Sequence, residues 1–224
     1  MYVKTITHYD YIGNVIMTDN IEMTEEEINQ DMLISPASQT YCIVEGESVP
    51  CIQTEYKKIT MEYKRHNVST NIYRIYLSLN WLKTPVVTKY DVIALRWSNN
   101  VTITKVDGSQ TAIRNGSSVL STYNSTGDNT ILGTKGVGIT MNMYDDATDH
   151  YMSLIVTLTG NPGTVYGTYQ HARNANITFD MSQSYTFSAS GLGNVLLFSN
   201  STITNYYDGM EGLIDSSPFY DSFA

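Results

Sequence analysis

The chain has 224 residues, of which 42% are hydrophobic and only 16% charged, with a formal net charge of −9 and a sequence pI near 4.7. An acidic balance of this size repels a phosphate backbone or an anionic membrane surface, which argues against general nucleic-acid binding. No stretch approaches the roughly 20 apolar residues of a membrane span, and the first residues lack the apolar core of a signal peptide, so the sequence reads as soluble as given.

The opening YVKTITHY predicts a strand through Val3, Thr5 and His8, and a second follows around Val15 to Met17. Thr24 and Glu27 have the capping-box spacing just before Ile28 and Met32, which predicts a short helix from about Glu25 to Met32. Its acidic first turn, Glu25, Glu26 and Glu27, complements the helix dipole, so these carboxylates need no catalytic role.

Cys42 and Cys51 are the two cysteines, with eight residues between them, a spacing that suits one small closed loop. Oxidised in an exported setting, the loop is worth about 2.5 to 3 kcal/mol; the alternative is a pair of buried free thiols. A zinc site would need further ligands at metal spacing, and only His66 is within reach in sequence.

Beyond the cysteines, period-two alternation dominates. Ile59, Met61 and Tyr63 share one strand face. Tyr73, Ile75, Leu77, Leu79 and Trp81 share the next, and Ile93, Leu95 and Trp97 follow after Thr84 and Pro85 break the run. These three strands read as the centre of a sheet. Asp107-Gly108 and Asn115-Gly116 read as tight hairpin turns because both dipeptides supply positive φ. Residues 117–135, rich in Ser, Thr, Asn and Gly, read as a mobile loop or a subdomain boundary.

Val137, Ile139, Met141 and Met143 then form one face, and Met152, Leu154, Val156 and Leu158 another. A hairpin turning at Gly160 to Gly163 leads into Val165 to His171. Phe179, Tyr185, Phe187 and Leu196 to Phe198 complete the predicted sheet set, and an apolar tail begins near Asn205 that is expected to pack on its own domain or dock on a partner. The result is an all-β fold, an antiparallel β-sandwich (jelly-roll-like) with one short N-terminal helix. Its parts are residues 1–40 (strands and helix), 41–204 (sandwich) and 205–224 (tail).

The runs CIQTEYKKITMEY, IYRIYLSLNWLKTP and YDVIALRW, followed by GVGITMNMYDD, GTVYGTYQHA and SGLGNVLLFSNSTITNYYDGM, resemble a group of uncharacterised exported proteins of Gram-positive bacteria. The resemblance covers roughly residues 40 to 212. It implies export, with the leader absent from this chain, and an all-β fold; it supplies no catalytic residue.

Candidate sites are sparse. Asp145, Asp146 and Asp149, with His150 beside them, bunch at a strand junction and offer oxygen ligands to Ca²⁺, although the alternating pattern of a calcium loop is missing; a solvated acidic turn is the plainer reading. Neither G-x-S-x-G nor a cysteine-protease signature occurs, and His8, His66, His150 and His171 are scattered. Tyr123, Tyr144, Tyr166 and Tyr169 are the candidate exposed aromatics for a ligand, against ordinary cross-strand packing. Six N-x-[ST] triplets, at Asn67, Asn100, Asn115, Asn124, Asn176 and Asn200, arise by chance in a chain this rich in Asn, Ser and Thr.

Charge is blocked along the chain. Acidic against basic counts are 11 to 3 in residues 1–62, 3 to 9 in 63–135 and 8 to 1 in 136–224. The blocks suit pairing of the basic strands with acidic neighbours inside one fold, or contact between subunits of a homo-oligomer. Three functions follow: a secreted or cell-surface binding module for a carbohydrate or protein ligand, a self-assembling fibre, coat or phage appendage, and a carboxylate-based hydrolase.

Overall fold

The computed structural model describes the backbone of residues 2–9, 15–23, 40–44, 47–53, 57–67, 71–188 and 195–214, with side chains at Lys57, 71–188 and 195–211. The strands are β1 (Tyr2–Tyr9), β2 (Val15–Met23), β3 (Thr40–Val44), β4 (Glu47–Gln53), β5 (Lys57–Asn67), β6 (Ile72–Trp81), β7 (Tyr90–Trp97) and β8 (Thr102–Arg114). They continue with β9 (Ser117–Asn124), β10 (Thr130–Gly133), β11 (Gly136–Asn142), β12 (Ala147–Thr159), β13 (Val165–Ala172), β14 (Tyr185–Phe187), β15 (Leu196–Phe198) and β16 (Tyr207–Ile214). Two one-turn helices, α1 (Phe179–Ser182) and α2 (Ser201–Thr204), interrupt the last third.

All pairings are antiparallel. A seven-stranded sheet has the order β3-β4-β5-β6-β12-β8-β9 and a five-stranded sheet the order β10-β11-β7-β13-β16; β1-β2 and β14-β15 are two-stranded ribbons. The two large sheets share one core. Tyr73, Ile75, Leu77, Leu79 and Trp81 of β6 and Met152, Leu154, Val156 and Leu158 of β12 come from one sheet. Ile93, Leu95 and Trp97 of β7, Val137, Ile139 and Met141 of β11 and Tyr169 of β13 meet them from the other. The alternation read from the sequence puts these residues inside, and each fully buried one contributes about 1.5 to 3 kcal/mol.

The five-stranded sheet is buried on both faces. Val92 and Ala94, the opposite phase of β7, join Ala172, Ile177, Tyr185, Leu196, Ile203 and Tyr207 in a second core. Here α1, the β14-β15 ribbon and α2 lie against the sheet as an aromatic cover, with Phe198 stacked on Tyr207 at 4.5 Å and Tyr185 edge-on to Phe187 and Phe198. Three glycines make room for it. A Cβ at Gly138 would collide with the Tyr185 hydroxyl, and one at Gly136 or Gly133 with the Phe187 ring. Double burial also explains why YDVIALRW is nearly continuous in apolar residues.

Several sequence expectations are corrected. The three central strands divide between sheets, with β5 and β6 in one and β7 in the other, because alternation fixes a face and leaves the neighbour open. Asp107-Gly108 is mid-strand in β8, where Gly108 admits the Ile139 side chain across the core. Residues 117–135 supply β9 and β10 instead of a loop. The segment from Gly160 to Gly163, both at positive φ, carries the chain from one sheet to the other and closes no hairpin. Phe179, Tyr185, Phe187 and Leu196 to Phe198, expected to complete the sheets, build the cover instead. By contrast, Asn115 (φ 50°) and Gly116 (φ 75°) do form the expected two-residue turn between β8 and β9. The predicted helix at 25–32 lies outside the described residues. Register sets Cys42 against Val49 and Cys51 against Thr40, so the cysteines stand on neighbouring strands, one diagonal step apart.

Candidate functional site

The outer face of the seven-stranded sheet carries Arg74, Tyr76, Ile155, Lys105 and Asp107 toward one end and short polar side chains in cross-strand rows toward the other. One row runs Ser78, Ser153, Ser109, Thr122, with the Ser109 and Ser153 hydroxyls 2.7 Å apart. The next runs Asn80, Tyr151, Thr111, Leu120. Tyr151 is 43% exposed and Leu120 63% exposed, and Leu82, just beyond the end of β6, is 41% exposed. Two of the large exposed hydrophobic side chains, Tyr151 and Leu120, thus lie in one row of one face with an amide and a hydroxyl, and Leu82 follows the strand end beside it. Three strand spacings of about 4.8 Å give the Asn80-to-Leu120 row a length of roughly 14 Å. The loop after Leu82 is tied back to this end of the sheet by Thr84 Oγ1 donating to the Thr148 carbonyl at 2.8 Å.

Beneath that end, the core is polar. The Asp91 carboxylate, fully buried, accepts from the Tyr169 hydroxyl and from the Ala172 N–H at 2.8 Å, and lies 3.0 Å from His171 Nδ1. Trp81 Nε1 donates to the Tyr169 oxygen at 2.9 Å, and the Trp81 ring meets His171 edge-on at 4.6 Å. Lys57, also buried, closes the side with a 2.6 Å pair to the half-exposed Asp208 and stands 5.3 Å above the Trp81 ring. Burial first, and Asp91 second, drive the Tyr169 hydroxyl far above its ordinary titration range. The network ties β5, β6, β7, β13 and β16 together. His150, on the inward phase of β12, is fully buried with neither ring nitrogen hydrogen-bonded among the described residues. Burial holds its pKa below 6.5, with Asp91 and Asp149 opposing and His171 reinforcing the shift.

No protein-family model matches the chain, and no curated protein matches it. Among solved structures it is similar to a pore-forming protein, at 10% identity over 59% of this chain and 83% of that one, with a TM-score of 0.30. A structure from work on pH-induced modulation of Streptococcus parasanguinis adhesion by Fap1 fimbriae matches at 14% identity over 63% and 70%, with a TM-score of 0.28. Clostridium perfringens delta-toxin matches at 6% identity over 58% and 81%, with a TM-score of 0.24. At these scores none of the three carries a function to this chain.

The four tyrosines singled out from the sequence do not converge. Tyr169 is a core residue, which corrects its expected exposure: it shares the inward phase of β13 with Val165. Tyr166 is half-buried under the Arg96 guanidinium, 4.0 Å from its ring. Tyr123 and Tyr144 do come together, on the inward side of β9. Tyr123 donates to Gln110 at 2.9 Å, and burial with the nearby Tyr144 pushes its pKa up to about 12. Tyr144 shares a 2.7 Å hydrogen bond with Ser121 and lies under Arg114 at 4.6 Å. That guanidinium also takes both oxygens of Asp146, at 2.6 and 2.8 Å.

Of the acidic residues singled out for Ca²⁺, Asp146 is paired with that guanidinium, Asp149 accepts from the Thr148 hydroxyl at 3.2 Å, and Asp145 is exposed. No group of three or more His, Cys, Asp or Glu positioned to hold a metal occurs among the described residues. Sequence reasoning missed Tyr151, Leu120 and the Asp91 network. The signals were there: Tyr151 and Leu120 sit in the polar phase of their strands, and Asp91 opens the inward phase that Ile93, Leu95 and Trp97 continue.

Proposed function

We propose that the protein is a secreted or cell-surface binding module that takes an extended carbohydrate on the outer face of its seven-stranded sheet. The observation that carries this reading is the row Asn80, Tyr151, Thr111, Leu120, an exposed aromatic ring between an amide and a hydroxyl with an exposed leucine at the row's end. A tyrosine ring offers a sugar its apolar face while the flanking amide and hydroxyl fix orientation, and no reactive group is required. The Ser78, Ser153, Ser109, Thr122 row widens the surface with hydroxyls. The low charged fraction, the all-β sheets and the resemblance to exported Gram-positive proteins support an external setting. A Cys42–Cys51 bridge belongs to the same proposal.

Retention of purified protein on insoluble polysaccharides, Gram-positive cell walls and host extracellular matrix, at low and high salt, tests it. Salt-resistant retention on a polysaccharide or wall is expected, weakened about tenfold or more by Tyr151→Ala. Retention on matrix protein alone would turn the reading to a protein ligand, and retention untouched by Tyr151→Ala would remove this face from it.

A further inference from the structure

One edge of the seven-stranded sheet carries none of the charges, prolines or bulges that usually protect such an edge. Among the described residues, β9 pairs with β8 on one side and with nothing on the other. Its sequence, SSVLSTYN, contains no charge and no proline, and its register with β8 runs unbroken over eight residues without a bulge. Soluble proteins blunt such edges with lysines, prolines, bulges or short strands because the unpaired N–H and C=O groups template another strand.

We infer that β9 pairs with β9 of a second copy of this chain, antiparallel about a two-fold axis, with Leu120 opposite its own symmetry mate. The register follows from the turn. Arg114 and Ser117 flank the two-residue Asn115-Gly116 turn and so form a hydrogen-bonded pair. Bonded pairs alternate along an antiparallel ladder, which directs the N–H and C=O of Ser118, Leu120 and Thr122 away from β8 and toward the free edge. A continuous sheet keeps outer faces together, so outward-directed residues must oppose one another. Every residue-centred axis satisfies this, and those at Leu120 and Ser121 keep the longest overlap of β9 with itself. Centring on Ser121 would recruit the Asn124 carbonyl, which is already taken by Thr130 Oγ1 at 2.7 Å and Gly127 N at 3.3 Å. Centring on Leu120 leaves Asn124 alone, pairs Ser118 with Thr122, and covers the most exposed leucine of the described residues with its twin.

The occupant is a second copy because the strand is its own complement. The chain carries −9, yet none of that charge lies on residues 117–124, so two acidic molecules meet here without facing like charges. Arg114 and Asp146 neutralise each other beside the turn. The chosen register also brings the two Asn80, Tyr151, Thr111, Leu120 rows into line, a strip of roughly 34 Å across the pair. That alignment rests on the binding reading; the dimer does not.

Sedimentation velocity of the full chain over a micromolar concentration series tests the proposal, with far-UV circular dichroism as the check on folding. The wild type is expected to dimerise. Leu120→Pro deletes an outward N–H that β8 does not use, and by symmetry deletes it twice, so dimer affinity should fall about tenfold or more with the strand signal unchanged. Leu120→Lys sets two like charges opposite each other and should weaken the dimer at low salt more than at high salt. A wild type that stays monomeric throughout, or a dimer that both substitutions leave intact, would overturn the inference. Neither outcome depends on any carbohydrate being bound.

Discussion

Individual side chains settle what several sequence signals are for. Asn124 and Asn200 begin N-x-[ST] triplets, yet both amide oxygens serve the backbone. Asn124 Oδ1 accepts from the Thr126 N–H at 3.0 Å, and Asn200 caps α2 by accepting from the Ile203 N–H at 2.9 Å. Asn115 contributes a positive φ to a turn. Turn and cap chemistry therefore accounts for three of the six triplets.

His150 carries the clearest pH consequence. Its folded pKa lies below the ordinary 6.5, so as pH falls the unfolded chain takes up the proton first. Stability from the neutral ring is complete above about 6.5 and is lost as pH drops through that value toward the folded pKa. The melting temperature should decline between about pH 7.5 and 5.5, and His150→Met should flatten that decline; parallel curves would show that another group controls it. Asp146 does not interfere. Its carboxylate, held by Arg114 below the ordinary 3.8, loses its contribution only at lower pH.

At the level of elements, the sequence was legible wherever one face was buried and the other wet. The inward phases of β6, β11 and β12 and the Asn-Gly turn could be read directly, because period-two burial and positive φ leave local marks. Strand partners could not be. Thr157 looks the same in sequence whether its strand pairs with β6, β8 or β7, so the split of β5, β6 and β7 between sheets was hidden. The cover was hidden for a related reason. Gly133 falls in the stretch read as a loop, and Gly136 and Gly138 carry no side chain to mark a packed face, although all three are seats for Phe187 and Tyr185, whose own strand is only three residues long.

The Gly138 seat makes a prediction. Gly138→Ala should destabilise the protein by about 1 to 3 kcal/mol, as overpacking does. The Tyr185 hydroxyl is buried without a hydrogen-bond partner among the described residues, so Tyr185→Phe should be neutral or stabilising and should recover part of the Gly138→Ala loss. Urea midpoints for the two single variants and the double variant check this. A loss of more than about 1 kcal/mol in Tyr185→Phe alone would mean that the hydroxyl is bonded in solution.

On the scale of the molecule, the two large sheets differ in what they can do. The five-stranded sheet spends both faces on packing, one against the main core and one under the aromatic cover. The seven-stranded sheet spends one, leaving rows of Ser, Thr, Asn and Tyr outside. The charge blocks fit the same picture only in part. Arg114 of the basic block pairs with Asp146 of the acidic C-terminal block inside one chain, while β9 has no charge to contribute to either. Binding and self-association therefore fall on adjoining parts of one sheet, its face and its edge.

The face is the central claim, and amide NMR reads it most directly. Labelled protein would be titrated with soluble fragments of whichever polymer retains it. Shift changes are expected at Asn80, Tyr151, Thr111 and Leu120, with the cover residues Leu196, Ile203 and Tyr207 unmoved. Changes concentrated in the cover, with the outer rows silent, would contradict it.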